Sequence, residues 1–198
     1  FKGGPDDIYT GAEIAPPGPL PYADIGNPQS LNKYAYVINN PFRYIDPDGH
    51  SYLVYDASTH TITLFSAKDE PIGYWTANNN VALRNDRGKY TNGPIQDGSY
   101  TVDKDDAGGA NWRHAGETSF GDNGIVRFVG VVGASGNTMS GAGVHAGRQD
   151  DTTWVTHGCI RTTNAAMTQI KTTAIVDPLT GLVVKNNKDN IKAWQDKK

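Results

Sequence analysis

Short runs of β-branched and aromatic residues, broken by turn formers, limit what this chain can fold into. Tyr52-Leu53-Val54-Tyr55 and Thr61-Ile62-Thr63-Leu64-Phe65 read as two strands, joined through Asp56 to Thr59 as a hairpin. A third strand is expected at Ile72 to Ala77, and others at Ser99 to Lys104, Ile125 to Val132 and Leu182 to Val184. The 23 glycines supply tight turns between such strands. Helical spacing is confined to Thr162 to Ile175, where Ala166, Met167 and Ile170 recur on one face and Thr162 or Thr163 can cap the start. Asn78 to Thr91 reads as a loop. Asp105 to Asn123, rich in Gly and Asp, reads as a long surface loop, a length usually reserved for lids or disordered segments. The tail from Asn186 is polar and basic. The expectation is a mainly β domain, a β-sandwich or mixed sheet with one helix.

The first fifty residues are of another kind. Six of the eleven prolines fall within the first 28 positions, among them Pro16, Pro17 and Pro19, which leaves little room for helix or sheet. Tyr34, Tyr36 and Ile38 alternate as a short strand would, and Asp46-Pro47-Asp48-Gly49 is a turn signal. Residues 1–50 are therefore expected to be an irregular segment and 51–198 the main domain. A net charge of −3 excludes the basic stripe of a nucleic-acid binder, and no apolar run is long enough for a membrane span. Phe1-Lys2-Gly3-Gly4 leads into polar residues with no apolar leader core. Export as cargo is the expectation that follows.

The only cysteine, Cys159, lies in Thr156-His157-Gly158-Cys159-Ile160-Arg161, with His145 upstream. A lone thiol makes no internal disulfide, so it is a packing residue, a metal ligand or a nucleophile. The nucleophile needs a base or a positive field nearby, because the thiolate is the attacking form. His145, His157 and Arg161 supply candidates for both. Gly158 permits a tight turn that could aim its own N–H and that of Cys159 at one oxyanion. The helix expected to start near Thr162 would add a positive end favouring the thiolate. A zinc site from His145, His157 and Cys159 is a weaker alternative, since the chain has neither C-x-x-C nor H-x-x-x-H spacing. A papain-like peptidase is weaker again, because there the cysteine precedes the histidine and here His145 comes first.

Gly143-Val144-His145-Ala146-Gly147 followed by Thr156 to Arg161 resembles the signature of YkuD-type L,D-transpeptidases: a histidine, a gap, then Ser/Thr-His-Gly-Cys-Ile/Val-Arg. Gly93-Pro94-Ile95-Gln96-Asp97-Gly98-Ser99-Tyr100 is similar to the G-P-I-P-x-G-x-Y stretch of the same superfamily, with Gln96 in place of the second proline. The likeness runs from about Tyr52 to Ile175 and is nearest to L,D-transpeptidase effectors of type VI secretion. It implies Cys159 as nucleophile, His145 as general base, and His157 and Gly158 as parts of the catalytic turn. Arg161, whose fork suits a carboxylate, is a candidate substrate contact, as are Gly147 and Trp112, with His114 beside Trp112 as part of a lid. The implied chemistry is acyl transfer on peptidoglycan stem peptides through a thioester, by cross-linking, carboxypeptidase action or exchange of a D-amino acid, without metal or organic cofactor.

A second resemblance covers Asn27 to Pro41 and Tyr44-Ile45-Asp46-Pro47-Asp48-Gly49-His50, which look like the end of an Rhs-repeat core domain. In that family a variable toxin follows this segment. The two together imply a secreted antibacterial toxin tip acting in the periplasm or cell wall of a target bacterium. Its partners would be an Rhs cage with its secretion machinery and an immunity protein. The competing readings are a wall-binding module with a dead site and a housekeeping cross-linking enzyme.

Overall fold

The computed structural model describes residues 50–147 and 154–198. The Rhs-like stretch and the Asp46–Gly49 turn lie outside the described residues.

The chain begins its main sheet with β1 (Tyr52–Asp56) and β2 (Thr61–Phe65), an antiparallel hairpin as expected. Asp56 shapes the turn by accepting from the Ser58 N–H at 3.0 Å and the Ser58 hydroxyl at 2.7 Å. Leu53, Tyr55, Ile62 and Leu64 are fully buried, following the period of two that gives a strand one inward face. Next comes β3 (Pro71–Thr76), the exposed edge strand, where Pro71 at the first position removes no ladder bond. Strands β4 (Asn80–Val81), β5 (Gly98–Val102) and β6 (Trp112–Arg113) follow. Then come β7 (Ile125–Val129) and β8 (Gly143–His145), β9 (Val155–Thr156) and β10 (Ile160–Arg161), and finally β11 (Gly181–Lys185).

Nine of these form one mixed sheet in the order β10-β8-β7-β5-β11-β1-β2-β3, with β6 also pairing β7. The centre is β11, parallel to β1 and antiparallel to β5; its unbroken Leu182-Val183-Val184 run suits a strand covered on both faces. The short parallel pair β4 and β9 stands apart. The protein is thus mainly β with a mixed sheet, as its sequence implies.

Helix α1 (Asn164–Val176) is capped by Thr163, whose side chain accepts from the Ala166 N–H at 3.1 Å. It lays Ala166, Met167 and Ile170 on the core, and fully burying the latter two stabilises the fold by about 1.5–3 kcal/mol each. Two differences from expectation stand out. The tail read as merely polar and basic forms a second helix, α2 (Lys188–Gln195), which docks through Trp194. The stretch expected to be one long loop from Asp105 to Asn123 is instead interrupted by β6.

Candidate active site

Strands β7, β8 and β10 build the site. In β8, His145 lies opposite Ile125 of β7 on one side and Arg161 of β10 on the other. Arg127 lies opposite Gly143. Continuing the parallel β8–β10 register by one residue sets Cys159 opposite Gly143 as well. Because side chains alternate across a sheet, Cys159, His145 and Arg127 all belong to one face. That face forms part of the wall of a cavity of about 820 Å³, which Cys159, His145, His157, Gly158, Arg161 and Arg127 all line.

The turn before Cys159 is held by its backbone. The Cys159 carbonyl accepts from Thr156 Oγ1 at 2.7 Å and from Asn79 Nδ2 at 2.9 Å. Gly158 has φ of +145°, a conformation that favours glycine, and a Cβ there would lie a tight 3.2 Å from the Met139 sulfur. Its N–H points to Thr156 Oγ1 at 3.3 Å. Asn79, fully buried, extends the clamp: its Oδ1 accepts from the Ile95 N–H at 2.6 Å and from Asn187 Nδ2 at 2.8 Å. Its own N–H donates to the Tyr55 hydroxyl at 3.0 Å, and burial pushes the Tyr55 phenol up to about 12.

The titration states follow from the surroundings. Burial, then the positive charge of Arg161, hold His145 down to about 4, against a small opposing effect from the Ala146 backbone. No aligned hydrogen bond from a described residue reaches its buried Nδ1. The ring packs against the edge of Phe120, with centroids 5.2 Å apart. Cys159 keeps partial exposure, yet desolvation raises its thiol above the ordinary value; a Gly143 backbone hydrogen bond and the charge of Arg127 pull the other way. At neutral pH the pair is a thiol beside a neutral imidazole.

Strand β10 stands between Cys159 and Asn164, where α1 begins, so the cysteine is not at the helix N-terminus as expected.

The other expected residues have distinct places. Arg161 is buried, with Nε donating to the Ala146 carbonyl at 3.1 Å and Nη2 to the Gly147 carbonyl at 2.7 Å; it ties down the chain leaving β8. Gly147 enters through that carbonyl and is not among the residues lining the cavity. His157 is exposed and faces Asp86, with Nε2 3.6 Å from Oδ1. Trp112 is not in the cavity wall; it packs on the core from β6, with Lys171 Nζ 5.4 Å from its ring centroid. Among the described residues no group of three or more His, Cys, Asp or Glu side chains could hold a metal ion. No helix among them is long and apolar enough to cross a membrane.

Sequence reasoning missed Arg127, Asn79 and Thr156. Asn79 and Arg127 lie 80 and 32 positions from Cys159, and no local pattern marks either of them. Thr156 sits within the cysteine motif, where a hydroxyl three residues before a turn carbonyl is a recognisable local bond.

No protein-family model matches the chain, and no curated protein matches it in sequence. Solved structures similar to it include Bd1075 of Bdellovibrio bacteriovorus, at 14% identity and TM-score 0.47 over 74% of this chain and 54% of that one. An L,D-transpeptidase from Xylanimonas cellulosilytica matches at 17% identity and TM-score 0.45, over 80% of this chain and 70% of that one. L,D-transpeptidase 1 of Mycobacterium tuberculosis matches at 15% identity and TM-score 0.40, over 68% and 61%. The chain therefore spans little more than half the length of the Bdellovibrio protein.

Proposed function

We propose that this chain is a cysteine acyltransferase acting on the stem peptides of peptidoglycan. The observation that carries the reading is that Cys159 and His145 line one cavity of about 820 Å³ from the same face of the sheet. The resemblance of the surrounding residues to L,D-transpeptidase motifs supplies the substrate class. His145, neutral at pH 7, takes the thiol proton as the Cys159 sulfur attacks a peptide carbonyl carbon. The developing oxyanion is received by the Cys159 N–H, with the Gly158 N–H available once it leaves Thr156. Collapse breaks the C–N bond, His145 returns the proton to the leaving amine, and a thioester remains. An amine, a free D-amino acid or water then attacks that thioester; His145 takes its proton and passes it to the departing sulfur. The two steps need no metal or organic cofactor.

Mass spectrometry of purified muropeptides incubated with the protein tests this. Shortened, cross-linked or D-amino-acid-exchanged stems are expected from the wild type. Cys159→Ala should leave the melting temperature nearly unchanged and remove all turnover, since a lost nucleophile costs orders of magnitude in rate. Equal turnover in the variant would sink the cysteine mechanism.

The biological reading rests on the Rhs-like residues Asn27 to His50. It takes 1–50 as the remnant of an Rhs core and 51–198 as a secreted toxin tip that acts on the wall of a rival cell. Directed to the periplasm by an added signal sequence, the protein should harm cells, and Cys159→Ala should not. Kept in the cytoplasm, it should be harmless. A housekeeping enzyme would show no periplasmic toxicity.

A further inference from the structure

The cavity holds a cation to which the acyl-transfer steps above assign no ligand. Arg127 projects from β7 on the same face as His145, across Gly143 from Cys159. A Cβ at Gly143 would collide with the Val126 carbonyl, so no side chain can stand between the two. Two strand spacings place the Cα atoms of residues 127 and 159 roughly 10 Å apart. Across that gap the Arg127 charge still acts on the thiol.

The guanidinium is held in place and left with donors to spare. Its Nη2 lies 3.4 Å from His114 Nε2. His114 Nδ1 is 2.8 Å from Glu117 Oε1, and a carboxylate only accepts, so in the neutral ring Nδ1 carries the proton and Nε2 accepts from Arg127. The Nε of Arg127 is buried and has no hydrogen-bond partner among the described residues. A buried donor left unmade costs free energy, and no described residue supplies its partner. The acidic residue among the described residues of the cavity wall, Asp86, faces His157 instead. Arg161, by contrast, has two of its donors committed to the Ala146 and Gly147 carbonyls.

We propose that Arg127 docks a carboxylate of the acyl-donor peptide beside the Cys159 thiol and so selects donors carrying a free acid next to the attacked carbonyl. This rests on the acyl-transfer reading above. Two carboxylates meet the description: the C-terminal one on the leaving residue, and a side-chain one on the residue whose carbonyl is attacked. A planar fork suits either.

The test uses three synthetic stem tetrapeptides: the free acid, its C-terminal amide, and the peptide amidated on the side-chain carboxylate of the third residue. Turnover is measured with the wild type, Arg127→Gln and Arg127→Lys. Binding is measured by calorimetry in the Cys159→Ala background, with and without Arg127→Gln. The wild type should prefer the free acid over one of the two amides by roughly 10- to 100-fold in KM, the range of a charge-assisted hydrogen bond. Arg127→Gln should erase that preference, whatever uniform slowing the loss of its charge near the thiol brings, and Arg127→Lys should keep part of it. The amide that ceases to be disfavoured identifies the carboxylate. A wild type blind to both amidations, or an Arg127→Gln protein slowed equally on all three peptides, would overturn the proposal. If no peptide is turned over but acid-selective binding depends on Arg127, the carboxylate site stands and the acyl-transfer reading falls.

Discussion

His145 is where burial has a measurable consequence. Its ordinary value of 6.5 falls to about 4 in the folded protein, so between those limits the unfolded chain binds the proton and the native state does not. Stability is therefore full above about pH 6.5 and declines as pH falls towards 4, by about 3 kcal/mol for a shift of this size, then levels off once both states are protonated. Urea unfolding of the wild type between pH 4 and 7 should show that slope, and His145→Gln should flatten it. The acid limb of kcat/KM should likewise fall near pH 4; a limb near 6.5 would mean that the histidine is not buried in the working enzyme. Of the cavity wall, Cys159 and His145 were legible as candidates because both sit in one short stretch. Arg127 and Asn79 were not, because strand pairing and a buried side-chain amide bring them to the cysteine from distant sequence, and neither leaves a local trace.

Among the elements, α2 is the least expected. Its eight residues carry three charges and bury only Trp194, so no apolar stripe announces it. The available signals were Ile191 and Trp194 three apart and Lys192 and Asp196 four apart, each a helical spacing; the latter pair meets at 2.7 Å. Trp194 anchors the helix: its Nε1 donates to Thr91 Oγ1 at 3.2 Å, and its ring fills the place where a Cβ on Gly93 would stand. Trp194→Ala should cost about 3–5 kcal/mol and lower Tm by roughly 10 °C in a domain of this size. An unchanged Tm would mean that the C-terminal helix is not docked in solution. By comparison β1, β2 and α1 could be read from sequence, since each repeats its apolar residues at its own period over a whole element. Two-residue strands such as β4, β6 and β9 hold no period to read; their partners define them.

For the molecule as a whole, we propose that 51–198 is a self-sufficient unit. Expressed alone, it should melt in one cooperative transition and keep the muropeptide turnover of the full chain; loss of either would move the boundary towards the N-terminus. Its sheet has a further consequence. The central strand comes almost last in sequence: β11 begins at Gly181 and pairs in register with Tyr52 of β1, at the domain's other end. Closing so long a loop is entropically uphill until the two strands meet, and β11 also carries the link to β5. The β1–β3 hairpins can form early, but in the order of paired strands the half of the sheet bearing Cys159 and His145 joins them through β11, with the Asn78–Arg161 bridge as a further link. A chain still emerging from a ribosome or a narrow conduit would thus lack its central strand, and with it the main seam of the sheet, until Gly181 to Lys185 had cleared the exit.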